Sequence, residues 1–264
     1  MASDLRFEEP PVREVSLTVF FERVATLQSL NLAQLRVDWK DAYPKVSEVP
    51  PRPPLRGDTP MHQYLGGNSF WPMPLTAFTN ARGDQTIELQ NDRFGIVWRF
   101  HQGPKTYPGY DELSTELLLR FEDFRRAISN SLAQELNPTD SYVSYTNLIE
   151  GVLPESLAVG ILTNWQTSLA RLDPPELAGL RLHYCSPELE EDVALTIMVD
   201  PSFDRDRDRD DPCASLELEG SISLDDSLAI DQSLAIAHDA VVKKFLELTS
   251  NDMKTKWGLR SEDF

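Results

Sequence analysis

An alternating strand, a helical stripe and then a run of prolines constrain this chain more than any other feature. Over Val12–Glu22 (VREVSLTVFFE), Val15, Leu17, Val19 and Phe21 fall on one side and Glu14, Ser16 and Thr18 on the other. A period of two over this length dictates a half-buried strand. Leu32, Leu35, Trp39 and Tyr43 then recur at helical spacing, with Asn31 as a candidate N-cap and Pro44 as a stop. Prolines at 50, 51, 53, 54 and 60 follow and make this stretch extended. Its Pro-x-x-Pro spacing also suits an SH3-type ligand, but inside a compact domain such a run reads as a surface crossover.

The rest of the chain divides by the same rules. Leu75–Thr79 is a short strand. Gln85–Gln90 and Phe94–Phe100 form a hairpin about Asn91–Asp92, with Ile87 and Leu89 facing Phe94, Ile96 and Trp98. Tyr110–Leu132 is a long helix striped by Leu113, Leu117, Leu118, Phe121, Phe124 and Ile128. Its first turn carries Asp111 and Glu112, which suit the helix dipole. Ser141–Ile149 is a strand, and Leu157, Ile161, Trp165 and Leu169 are spaced like a short helix weakened by Gly160. Strands over Gly179–Tyr184, Asp192–Val199 and Ala214–Ile222 precede a helix over Ser227–Leu248 and one further helical turn.

Strands grouped in hairpins with helices between the groups indicate an α+β fold, mostly antiparallel, with helices packed on one face. Two similar halves and one continuous sheet both satisfy this order. The expected organisation is a mobile arm over 1–11, an N-terminal α+β half over 12–150, a linking segment over 151–178 and a C-terminal α+β half over 179–264.

Composition narrows the function classes. The 264 residues carry a formal net charge of −18, and residues 185–264 alone hold 20 acidic against 8 basic residues. A chain this acidic has no general attraction for a phosphate backbone or an anionic membrane surface. Its start, MASDLRFEEPP, lacks the basic and apolar regions of a signal peptide, and no apolar run is long enough to span a bilayer. Two cysteines, Cys185 and Cys213, make no disulfide framework. A soluble protein of the reducing cytoplasm is expected.

Four stretches carry a resemblance: PPVREVSLTVFFE; WKDAYPKVSEVPPRPP; DRFGIVWRF with YPGYDELSTELLLRFEDF; and AHDAVVKKFLELTSNDMKTKWG. Together they resemble a sporadically distributed bacterial family of conserved hypothetical proteins of roughly this length. The opening Pro-Pro-x-x-Glu-Val and the closing Ala-His through Trp-Gly are the specific parts. Such a patchy distribution implies mobile genes and accessory or defence loci. The resemblance supplies no catalytic motif.

The residues themselves point the same way. No GxSxG, GxxxxGK[ST], HExxH, paired CxxC or GxGxxG signature is present. Aspartates at 204, 206, 208 and 210 have calcium-loop spacing, but Arg209 stands where the loop needs glycine and Ser215 where it needs a bidentate acid. The run therefore reads as a solvated loop whose charges discourage edge pairing. His183 and Cys185 point the same way on a strand, which suits two metal ligands or a thiolate and its base. No third ligand is visible, and a satisfied histidine beside a buried cysteine explains them.

Trp98, Arg99, Tyr145 and Asn147 lie on strands expected to be neighbours, with Tyr107 or Tyr110 at the edge. A cation among aromatics suits recognition of a peptide, nucleotide or base. His238, on the apolar stripe of the last helix, is expected to make a hydrogen-bonded contact together with Trp257. The candidate binding residues are thus Trp98, Arg99, Tyr107, Tyr145, Asn147 and His238. No catalytic residue, metal ligand or cofactor is assigned.

The leading expectation is a non-catalytic protein-binding component of an accessory or defence-type system, antitoxin-like or immunity-like. Its partner would be a protein, basic and encoded nearby. One alternative is a small-ligand or nucleotide-binding protein or enzyme with a groove near Arg99, Tyr145 and Asn147. Another is a chaperone-like or scaffold protein. Oligomeric state is left open.

Overall fold

The computed structural model describes residues 7–53, 55, 73–100, 107–162, 179–185, 193–200, 213–225 and 227–259. The Asp204–Asp211 run, most of the 151–178 segment and the prolines at 54 and 60 lie outside the described residues. The fold is α+β. Nine strands form one antiparallel sheet: β1 (Val12–Phe21), β2 (Lys45–Val49), β3 (Leu75–Thr79), β4 (Gln85–Gln90), β5 (Arg93–Arg99), β6 (Pro138–Glu150), β7 (Leu180–Cys185), β8 (Ala194–Asp200) and β9 (Cys213–Ser223). Their order is β2-β3-β4-β5-β1-β6-β9-β8-β7. The helices are α1 (Ala33–Asp38), α2 (Tyr110–Leu132), α3 (Pro154–Leu162), α4 (Ile230–Leu248) and α5 (Asn251–Lys256).

Two compact units share these elements. The first comprises Ser16–Tyr142 and Ser223–Leu234; the second comprises Met1–Val15, Val143–Ile222 and Ala235–Phe264. Strands β1, β6 and β9 and helix α4 supply residues to both.

In the first unit the apolar rows meet two helices. Cross-strand register aligns Phe78 with Ile87 and Ile87 with Ile96, while Leu89 pairs with Phe94. The stripes of α1 and α2 pack against these rows. The Trp39 ring lies 5.2 Å from Phe78, and the Phe124 ring stacks 5.2 Å from Phe94. Leu113, Leu117, Phe121, Phe124 and Ile128 are buried, as their spacing predicts.

The helix expected over Leu32–Tyr43 is shorter. A 3-10 turn (Ser29–Leu32) leads into α1, and Trp39 and Tyr43 occupy the turns after it. The stripe survives because Trp39 N–H reaches the Leu35 carbonyl and Tyr43 N–H the Trp39 carbonyl, at 2.9 and 2.7 Å. Asn31 does not cap the helix; its side chain accepts the Gln28 N–H at 2.9 Å, which tightens the preceding turn. Strand β2 carries no alternating signal and was not foreseen. It is mostly exposed, so backbone pairing with β3, not burial, defines it.

The opposite face of β4 and β5 is polar, yet it too is covered. Glu88, Gln90 and Arg93 are buried. The proline segment runs along them. Gln90 accepts the Arg52 N–H at 2.8 Å and donates to the Arg52 carbonyl at 3.2 Å, and Arg93 donates to the Pro53 carbonyl. Proline lacks an N–H, so this stretch cannot form a full ladder, and side-chain donors satisfy its carbonyls instead.

In the second unit β7, β8 and β9 pair in register: Leu180, Val199 and Leu216 form one row, and Leu182, Ile197 and Leu218 the next. Helix α4 covers them with Ala237, Val241 and Phe245, all buried. The approach is closest at Gly220, where a Cβ would stand 2.9 Å from the Ala237 carbonyl oxygen and 2.9 Å from Val241 Cγ2. Residues 7–11, expected within a mobile arm, are instead held in place. The Phe7 ring packs edge-on to Phe245 and Trp257, each 6.1 Å away, and Glu9 N–H donates to the Trp257 carbonyl at 3.1 Å. Phe7 is an apolar residue in a polar stretch, and its half-buried ring gains two edge-on aromatic contacts that oppose the entropy of a free arm.

Gly220→Ala is expected to destabilise the chain by about 1–3 kcal/mol, because a strand backbone and a helix backbone must separate to admit the methyl group. Urea unfolding of the variant checks this: an unchanged midpoint would mean that α4 slides freely on β9.

Candidate functional site

The first unit contains an open cleft of about 550 Å³, lined by Ala42, Tyr43, Asn80, Gln85, Asp111, Glu112, Thr115 and Glu116. Three elements build it. The turn after α1 brings Tyr43, the start of β4 brings Gln85, and the first two turns of α2 bring the acids. The acids sit on the side of α2 away from Leu113 and Leu117, which are fully buried. The apolar stripe of the helix thus decides where its carboxylates point.

The wall of the cleft is a continuous polar network. Gln85 Nε2 donates to the Tyr43 hydroxyl at 3.0 Å, and that hydroxyl donates to Glu116 Oε1 at 2.9 Å. Arg120 Nε donates to the same Glu116 oxygen at 2.8 Å, and its Nη1 lies 3.6 Å from Asp123 Oδ2. Trp39 Nε1 donates to Asp123 Oδ2 at 2.9 Å, and the Arg120 guanidinium lies 5.7 Å from the Trp39 ring and 5.5 Å from that of Tyr43. Burial pushes the Tyr43 phenol well above its ordinary range, and the neighbouring Glu116 charge and hydrogen bond push it further. Asp111 and Glu112, by contrast, are exposed and have no ion-pair partner among the described residues. Glu116 is therefore committed to the wall, while Asp111 and Glu112 offer charge to something outside.

The six residues singled out in the sequence fall into both units. Trp98, Arg99 and Tyr107 belong to the first. Trp98 is buried beside Phe94 and Ile96, and the Tyr107 ring lies 5.2 Å from it. Arg99 ends β5, half-exposed, with Nη2 3.9 Å from Glu88 Oε1. Glu88 also holds Arg52 at 2.9 Å.

Tyr145, Asn147 and His238 belong to the second unit and are buried. The Tyr145 hydroxyl meets His238 Nδ1 at 3.1 Å, which ties β6 to α4, and Asn147 Nδ2 donates to the Leu216 carbonyl at 3.4 Å. His238 thus meets Tyr145 on β6, and Trp257 stacks on Phe245 at 5.5 Å. Tyr43, Gln85 and Glu116 were not singled out, although Asp111, Glu112 and Glu116 recur within two turns of one helix, which was the available signal.

A second concentration of acid lies in the second unit. Glu217 on β9 has a raised carboxyl pKa, first because it is partly buried and then because Glu219, Glu14 and Asp200 stand near; the Ser144 hydroxyl, donating at 3.2 Å, opposes the shift.

In comparisons with known proteins, no family model matches this chain and no curated protein matches it.

Two outcomes follow from these groups. The folded chain holds the Tyr43 proton above the ordinary phenol value of 10.0, so the stability it contributes is full below that pH and is lost as the pH rises beyond it. Tyr43→Phe should flatten that part of the alkaline decline in urea-unfolding free energy, while costing about 1–2 kcal/mol at neutral pH because Gln85 loses its acceptor and Glu116 keeps only Arg120. An alkaline profile identical in the two proteins would refute the network. For Glu217, also raised, stability is full below the ordinary carboxylate value of 4.5 and falls as the pH climbs through the higher folded value. Glu217→Gln should therefore be more stable than the parent at neutral pH, and a less stable variant would contradict the assignment.

Proposed function

We propose that this chain is a non-catalytic binding protein for a basic polypeptide, the antitoxin-like or immunity-like component of an accessory, defence-type bacterial system. The observation that carries the reading is the cleft beside α2. Among the described residues three carboxylates line it and no cation does, and its wall is already built by Tyr43, Gln85 and Glu116. A lysine or arginine of a partner finds there two carboxylates that no described residue pairs, beside a hydrogen-bonded polar floor. The formal net charge of −18 adds long-range attraction for a basic partner. Among the described residues no helix is long and apolar enough to cross a membrane. The accessory and defence setting rests on the family resemblance of the four sequence stretches.

A groove assembled from Arg99, Tyr145 and Asn147 receives less support. The Tyr145 and Asn147 side chains are buried and turned to internal hydrogen bonds.

The test is co-expression with the products of the genes flanking its own, followed by calorimetry on any complex that co-purifies. The expected partner is basic, its affinity falls steeply with added salt, and Asp111→Asn with Glu112→Gln together weaken it about tenfold. The reading fails if binding ignores both salt and the double substitution. It also fails if no flanking product binds while the purified chain turns over a small substrate.

A further inference from the structure

Strand β7 ends the sheet order, and one side of it carries Arg181, His183 and Cys185. The neighbouring strand aligns Thr196 with His183 and Ala194 with Cys185. Cys185 is exposed, and its Sγ lies 3.0 Å from His183 Nε2. The other ring nitrogen, Nδ1, lies 3.0 Å from Thr196 Oγ1, and Thr196 is itself 6% exposed. If the thiol donates to Nε2, then Nδ1 carries the ring hydrogen and donates to the threonine hydroxyl. The imidazole is therefore held at both ends, with its accepting nitrogen on the thiol. Among the described residues no third His, Cys, Asp or Glu joins the pair as a metal ligand.

The other cysteine is far away along the sheet. Register takes Cys185 to Ala194 and on to Ser221, whereas Cys213 begins β9 and is buried. Eight residues of strand separate Cys213 from that row, roughly 27 Å at the usual rise per residue. That is several times the reach of a disulfide.

We propose that Cys185 is a nucleophilic thiol, served by His183 as base, that takes up a thiol group from a low-molecular-weight disulfide. His183 Nε2 accepts the S–H proton, and the Cys185 thiolate attacks one sulfur of the disulfide. The bond from Cys185 to that sulfur forms as the old sulfur–sulfur bond breaks. The departing thiolate takes the proton from His183 and leaves as a free thiol. The Cys185 sulfur is oxidised and the departing sulfur is reduced, so one thiol is consumed and one released. With no second cysteine in reach, the adduct persists until an external thiol reverses it. Thr196 acts through His183 and is a positioning residue.

The experiment uses the folded full chain at neutral pH with 4,4′-dithiodipyridine, followed by absorbance, and with glutathione disulfide, followed by intact mass. One thiol per chain, Cys185, should react at least about tenfold faster than in the same chain unfolded in urea. His183→Gln should bring the folded rate down to the unfolded one, Thr196→Val should fall between, and Cys213→Ser should change nothing. Glutathione disulfide should leave a single adduct that reductant removes. A folded thiol no faster than the unfolded one overturns the proposal, as does a His183→Gln protein that folds and reacts at the parent rate. Failure of glutathione disulfide to leave any adduct overturns the substrate class. Should His183→Gln not fold, Thr196→Val and the folded-to-unfolded ratio still decide.

Discussion

The difference between the two faces of β1 is the constraint on which the other features rest. Val15, Leu17 and Val19 are fully buried on one side, while Glu14, Ser16 and Thr18 take the other. A strand in the fifth place of a nine-strand order sets the register for its neighbours on both sides. One slipped residue would turn the apolar row away from the helices. Beside β1, Gly95 on β5 leaves room for Thr18, whose Oγ1 would stand 2.6 Å from an added Cβ. The pairing at the centre is thus specified by apolar burial on one face and by close packing of small groups on the other.

Several polar groups buried by this arrangement are paired across elements. On the β4–β5 face, Glu88, Gln90 and Arg93 hold a proline segment that could not satisfy its own carbonyls. Between α1 and α2, Trp39 and Tyr43 join an apolar core through their rings and a charged network through their N–H and O–H groups. These amphipathic aromatics are what give the acidic cleft a fixed wall. The same economy operates in the second unit, where a buried tyrosine and histidine satisfy one another between β6 and α4. Such pairs cost little when complete and a great deal when broken, so they favour one arrangement of helix on strand.

Much of the fold was legible because its elements are strongly periodic. The long helix Tyr110–Leu132, the β4–β5 hairpin and the strands around β8 stand where their apolar spacing puts them. The exceptions have local causes. Strand β2 is an exposed edge with little apolar content, so it left no pattern to read. The first helix is cut short although its stripe is complete, because successive single turns can bury the same four side chains. Phe7 looked like an arm residue because its two ring partners lie more than two hundred positions later in the chain.

The candidate sites divide along the same line. Residue order alone settled the α+β class, the polarity of each strand face and the acidic character of the chain, because periodicity and charge are local properties. It also brought His183 and Cys185 to one side of one strand, since two residues apart is one strand period. It could not supply Thr196, which completes that pair from the neighbouring strand, nor the network in which Tyr43 reaches Glu116 across 73 positions and Gln85 reaches Tyr43 across 42. Those groups meet through register and helix docking, and both are consequences of how the buried faces pack.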